Sequence, residues 1–167
     1  MQPKLIEENV YEKVLEGVKV ELTAAHVYQY LANWCDCYGY LGAKKWYNNQ
    51  SNEEREHAQK VIEYLLDRNC EVPMPMLKPV SGEYKTIYDV LKETLKQEQI
   101  VEAYWKSVCV AVRGKDESTY ELAQWYIHEQ VGEIESVCNY ITQYEMMCAD
   151  GTMCGYANME MDKILGS

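Results

Sequence analysis

Apolar residues recur every three to four positions along four long stretches of the chain, roughly 6–37, 43–69, 86–112 and 118–147. That spacing predicts helices. In the first, Val14, Val18, Glu21, Ala25, Tyr28 and Ala32 share one stripe. The second stripe is Ala43, Tyr47, Gln50, Glu54, His57, Val61 and Tyr64. The third is Leu91, Thr94, Glu98, Val101, Trp105, Val108 and Val112, and the fourth Ala123, Ile127, Gln130, Ile134, Val137 and Ile141. A short segment over 156–165 ends the chain, and nothing reads as strand.

The stretches are separated by breaks at Tyr38-Gly39-Tyr40-Leu41-Gly42, Arg113-Gly114-Lys115-Asp116, Asp150-Gly151 and Gly155, with Ser118 as an expected N-cap. Pro73, Pro75, Pro79 and Ser81-Gly82 cannot lie inside a helix. Helices of about 27 residues at about 1.5 Å per residue are about 40 Å long. Matched lengths with short first and third connections predict an all-α four-helix bundle in one domain, 1–167. The Pro-rich connection of about 16 residues is a long crossover that makes the second and third helices parallel.

Each seam is broken near its middle by a polar residue. These are Glu21; Glu54 with His57, three residues apart on one face; Glu98; and Gln130, with Glu133 one turn on. In such a bundle they fall at similar depth. Carboxylates gathered in a buried site repel one another and lose hydration, and a divalent cation removes both problems. Carboxylate oxygens with imidazole nitrogen suit iron or manganese, and five or six ligands suit two metals bridged by Glu54.

The 167 residues carry 27 acids against 16 Lys plus Arg, a formal charge of −11. That excludes a nucleic-acid surface, which needs a basic patch, and suits a protein that handles cations. No run of about 18 apolar residues is present to cross a membrane. The N-terminus has no signal-peptide core, so a cytoplasmic location is expected. Seven Cys without a CxxC pair read as reduced thiols. With 15 Tyr and no Phe, tyrosine must do the aromatic packing.

The stretches Val20-Glu21-Leu22 with Tyr28 and Trp34 downstream, Asn52-Glu53-Glu54-Arg55-Glu56-His57-Ala58, Lys96-Gln97-Glu98-Gln99 and Gln124-Trp125-Tyr126-Ile127-His128-Glu129-Gln130-Val131 resemble a non-haem ferritin of the bacterial type. The resemblance runs over almost the whole chain and implies a ferritin-like bundle with a short fifth C-terminal helix, which in that family lines the fourfold axis of a hollow cage. It implies iron storage in a 24-subunit cage, with Fe(II) oxidised to Fe(III) by O2 or peroxide at a ferroxidase centre of two irons per subunit. Glu21, Glu54 and His57 would hold the first iron, and Glu54 would bridge to a second held by Glu98 and Glu133. Gln130 would hydrogen-bond beside the pair. Tyr28 is either a core aromatic or the family's tyrosine near the irons.

The chain also departs from the family patterns. Gln130-x-x-Glu133 stands where bacterioferritins and rubrerythrins have a second Glu-x-x-His. A third iron site in bacterial ferritins uses acids at positions matching Glu53, Glu129, Gly132 and Glu133; Gly132 removes one of them. Tyr120 and Ala123 stand at the channel acids of animal heavy-chain-type ferritins, with Glu121 as a substitute. Glu56 beside Glu53 either faces the cage interior or is a solvated helix face. The competing function is a catalytically silent shell subunit, and retention of Glu21, Glu54, His57 and Glu98 weighs against it. A di-iron oxidase of small oligomeric state is disfavoured by the terminal helix.

Overall fold

In a computed structural model that describes residues 3–148 and 154–167, the chain forms α1 (Glu8–Cys37), α2 (Leu41–Asp67), α3 (Ile87–Val112), α4 (Glu117–Cys148) and α5 (Cys154–Gly166). No strand occurs among the described residues. The long helices pair α1 with α2 and α3 with α4, as the short connections require. The expected break at Asp150-Gly151 lies outside the described residues.

Local chemistry sets each boundary. α1 ends in a turn at Gly39, whose φ of +80° suits glycine. α2 ends in a Schellman motif: Asn69 takes φ +57°, Cys70 N–H donates to Leu65 O at 3.0 Å and Asn69 N–H to Leu66 O at 2.9 Å. α3 begins with a capping box in which Thr86 Oγ1 accepts from Asp89 N and the Asp89 side chain accepts from Thr86 N. α4 is capped by Asp116, which accepts from Thr119 N–H at 3.0 Å. The expected cap, Ser118, lies one residue inside the helix, because Asp116 already satisfies that orphan donor. Gly155 is no break either; it sits in the first turn of α5.

The crossover covers residues 68–86 and lies along α1. Tyr11 hydroxyl donates to Glu71 O at 2.9 Å near one end, and Tyr30 hydroxyl to Gly82 O at 2.8 Å near the other. Tyr11 and Tyr30 are about 28 Å apart along the helix axis. That length makes α3 parallel to α2 and brings the middles of all four helices to one level.

The first and third stripes are buried throughout. In the second, Gln50 and Tyr64 are only half-buried. In the fourth, Ala123, Gln130 and Val137 are buried as expected, whereas Ile127, Ile134 and Ile141 are half-buried and Thr119, Tyr126 and Tyr144 fill the interior beside them. Tyr126 and Tyr144 bring large rings with hydroxyls into the interior, and Ile127, Ile134 and Ile141 stay at its boundary.

α5 packs across the end of the bundle and supplies two caps. Asp162 Oδ1 accepts from Ala43 N–H at 2.8 Å in the first turn of α2, where Tyr40 offers no side-chain cap. Asn158 Oδ1 accepts from Ile87 N–H at 3.0 Å in the first turn of α3. The backbones of α2 and α5 nearly touch, and a Cβ on Gly42 would lie 2.0 Å from the Asp162 carbonyl oxygen. Gly42→Ala is therefore expected to push α5 off and cost about 1–3 kcal/mol. Asp162→Ala removes only the cap and should cost about 1 kcal/mol. Thermal melts followed by circular dichroism check both, and a Gly42→Ala melt at the wild-type temperature would contradict the packing described here.

Candidate metal centre

The mid-seam polar residues meet in the bundle interior. Glu21 and Glu54 are almost fully buried and His57 is buried. A carboxylate oxygen from each acid and a ring nitrogen of His57 lie within 4.8 Å of one another. His57 Nδ1 is 3.2 Å from Glu54 Oε2 and 3.9 Å from Glu21 Oε2. Glu54 and His57 share a face of α2 because they are three residues apart. α1 brings Glu21 opposite them.

Glu98 of α3 forms the other wall. Its Oε1 accepts from the Tyr28 hydroxyl, and its Oε2 accepts from Gln130 Nε2 at 2.7 Å. The same amide nitrogen lies 3.1 Å from the Glu98 carbonyl oxygen. Tyr28 is thus both a core aromatic and a partner of the site, stacked obliquely on Tyr47 at 6.1 Å. Glu133 is half-buried beside this group.

Glu53 is exposed and Glu129 half-buried. Both line a surface cleft of about 460 Å3 with Glu56, His57, Lys60 and Trp125. A neighbouring cleft joins Glu129 to Glu133 and Gly132, where an added Cβ would meet open space. Of the eight acids, amides and imidazole expected to hold metal, the structure gathers Glu21, Glu54 and His57 most closely. Glu98, Gln130 and Glu133 adjoin them, and Glu53 and Glu129 stand at the mouth.

Burial pushes the Glu21 carboxyl well above the ordinary range, and facing Glu54 raises it further. Glu54 is likewise raised by burial and then by Glu98. Glu98 is raised by burial against the opposing pull of Tyr28 and Gln130. Glu133 is pushed up to about 7, by burial first and then by Glu98 and Glu53. Burial also holds the Tyr28 hydroxyl protonated, which keeps it a donor.

One atom shows what the site lacks. Glu21 Oε1 accepts from Trp105 Nε1, but Glu21 Oε2 is buried with no hydrogen-bond partner. It faces the Glu54 carboxylate and His57. Two facing carboxylates can be joined only by a shared proton or by a cation. Hard oxygen donors with one imidazole fit ferrous iron or manganese.

The sequence missed Trp105 and Tyr126 as site residues. Trp105 stood in its seam as an apolar residue, yet a buried indole N–H needs an acceptor, and the mid-seam acids were the ones available. Tyr126 donates to the His57 carbonyl oxygen at 2.6 Å.

The ferritin-like domain model matches residues 12–147, so the chain belongs to that family. The chain is 29% identical over 143 residues to the bacterial non-heme ferritin of Staphylococcus aureus, covering 83% of this chain and 86% of that protein. It is 29% identical over 130 residues to that of Staphylococcus haemolyticus, covering 77% and 78%. Among solved structures, an open-pore ferritin from the archaeon Archaeoglobus fulgidus superposes with a TM-score of 0.88 at 25% identity, over 96% of this chain and 98% of that one. A form of the same ferritin engineered to be closed matches equally well, over 96% of each chain.

The raised carboxyls set the behaviour of the metal-free protein. Their folded-state values lie above the ordinary carboxylate value of 4.5, and Glu133 reaches about 7. The native state then binds more protons than the unfolded chain across that window, so stability falls as pH rises through it. Calorimetry of chelator-treated protein should give a lower Tm at pH 7.5 than at pH 5, with Mn(II) restoring the loss. Glu54→Gln should flatten the trend. A Tm that climbs with pH in the metal-free protein would contradict the buried cluster.

Proposed function

We propose that this chain is an iron-storage ferritin that binds Fe(II) as a pair inside the bundle, oxidises it with O2 or peroxide and stores the ferric product as mineral in a hollow cage. The observation that carries this reading is the unpartnered Glu21 Oε2 facing Glu54 and His57 in the interior of a ferritin-like chain.

Glu21, Glu54 and His57 hold the first ion. Glu54 bridges, since it is the carboxylate that lies against Glu21 and also interacts with Glu98 and Glu133. Glu98 and Glu133 hold the second ion, with Gln130 orienting Glu98. Tyr28 keeps its hydroxyl on Glu98 at the edge of the pair. Hard carboxylates bind Fe(III) more strongly than Fe(II), so the site favours oxidation. Two Fe(II) give one electron each to O2, which leaves as hydrogen peroxide after taking two protons.

Glu53 and Glu129 give the cation an acidic approach through the cleft beside His57. Burial-raised carboxyls release protons as metal arrives.

Self-assembly, into 24 subunits by the family's pattern, is supported by apolar side chains that one subunit leaves in solvent. Val110 is 81% exposed, Val131 57% and Ile100 49%, and the isoleucines of α4 are only half-covered. No described helix is long and apolar enough to cross a membrane. Cys35, Cys37, Cys70, Cys109 and Cys138 are free thiols, which suits a reducing compartment such as the cytoplasm.

Protein mixed aerobically with two Fe(II) per subunit should develop ferric absorbance. His57→Ala and Glu54→Ala should each slow it by at least about tenfold. Native mass spectrometry should show an unchanged assembly. Wild-type rates in both variants would rule out this site. A wild-type protein no faster than iron in buffer would instead mark a silent shell subunit.

A further inference from the structure

The candidate site is walled by an aromatic group that metal ligation does not use. Trp105 is fully buried, and its Nε1 donates to Glu21 Oε1. Its indole lies flat on Tyr126, with centroids 3.9 Å apart and planes 4° apart. Tyr126 meets Trp125 edge-on at 4.9 Å. Gly17 of α1 makes room for the indole, since a Cβ there would stand 3.0 Å from Trp105 Cη2.

We propose that Trp105 is a one-electron donor to the iron site, used when peroxide meets a subunit that holds a single Fe(II). This rests on the iron-binding reading of the site. Reducing peroxide to water takes two electrons and two protons, and one Fe(II) supplies one electron. The second leaves the Trp105 indole. Hydrogen peroxide, Fe(II), Trp105 and two solvent protons then give two waters, Fe(III) and the Trp105 cation radical. The O–O bond breaks, two O–H bonds form, and the charge is +4 on each side. Without that second electron, the same cleavage releases a hydroxyl radical.

Electrostatics selects Trp105 among the nearby rings. Glu21 is ionised when it holds a cation, and its negative charge at the indole N–H stabilises a positive ring. The face of Tyr126 adds π-electron density against it. Tyr126 itself is a poor resting place, because its hydroxyl is tied to a backbone carbonyl that cannot take its proton. Trp125 carries the Lys60 ammonium 4.1 Å from its ring centre, which opposes positive charge there. The competing donor is Tyr28, whose hydroxyl donates to Glu98.

The test loads the protein anaerobically with one Fe(II) per subunit, mixes it with hydrogen peroxide, freezes it and records the electron paramagnetic resonance spectrum. Ring-deuterated tryptophan should narrow the organic radical signal, and ring-deuterated tyrosine should leave it unchanged. The signal should vanish in Trp105→Phe and persist in Trp46→Phe. Should Trp105→Phe fail to fold, a protein carrying Trp34→Phe, Trp46→Phe and Trp125→Phe leaves Trp105 as the sole labelled indole and should keep the narrowed signal. A signal that narrows only with labelled tyrosine, or survives in Trp105→Phe, overturns the donor role. So does normal iron oxidation with no organic radical. A wild-type protein that oxidises no Fe(II) at all defeats the iron-site reading, and the donor role with it.

Discussion

Glu21, Glu54 and Glu98 stand in the middle of the bundle, out of reach of water, with no Lys or Arg among their hydrogen-bond or ion-pair partners. Burying unpaired carboxylates is among the more costly things a fold can do. The chain offsets part of that cost with neutral donors: Trp105 on Glu21, and Tyr28 and Gln130 on Glu98. One oxygen of Glu21 is left over. The apolar layers above and below, with Val14, Val18, Leu31, Val61, Leu65, Leu91 and Val108, hold the helices together around it. Tight packing at the ends sustains a loose electrostatic centre, a local conflict of the kind expected where stability yields to chemistry.

Most of the architecture was legible in the sequence, because Gly and Pro are sparse and fall where the chain turns. The ends of α1 and α3 were read within a residue or two, since Tyr38-Gly39 and Arg113-Gly114 stop a helix by backbone geometry alone. The acids of the site were legible for a different reason. A Glu in an apolar seam has no interior partner of opposite charge, so four seams broken at matching depth point to one shared metal site. What escaped was information held in specific residue pairs, some local and some distant along the chain. Asp116 outcompetes Ser118 as a cap through backbone geometry that composition does not reveal. Half the seam of α4 was legible, in Ala123, Gln130 and Val137; its isoleucines lie at the boundary because the interior takes the larger area and the hydroxyl of Tyr126. Trp105 finds its acceptor 84 residues away.

The acids of the bundle also form a line from its surface to its centre. The cleft near His57 is lined by Glu53, Glu56 and Glu129, half-buried Glu133 adjoins Glu129, and buried Glu54 and Glu98 lie behind. Acidic side chains thus continue from the exposed surface to the buried centre. A cation moving along that line exchanges hydration for carboxylate oxygen in stages, avoiding a single large desolvation step. Lys60 over Trp125 is the one cation at that mouth among the described lining residues.

Asp162 and Asn158 give the tail of this chain an influence out of proportion to its length. Backbone N–H groups in the opening turns of α2 and α3 donate to side-chain oxygens of Asp162 and Asn158, both in α5. Loss of α5 would therefore remove side-chain acceptors from two helix starts at once, leaving α3 with its own Thr86–Asp89 capping box and α2 with no side-chain cap.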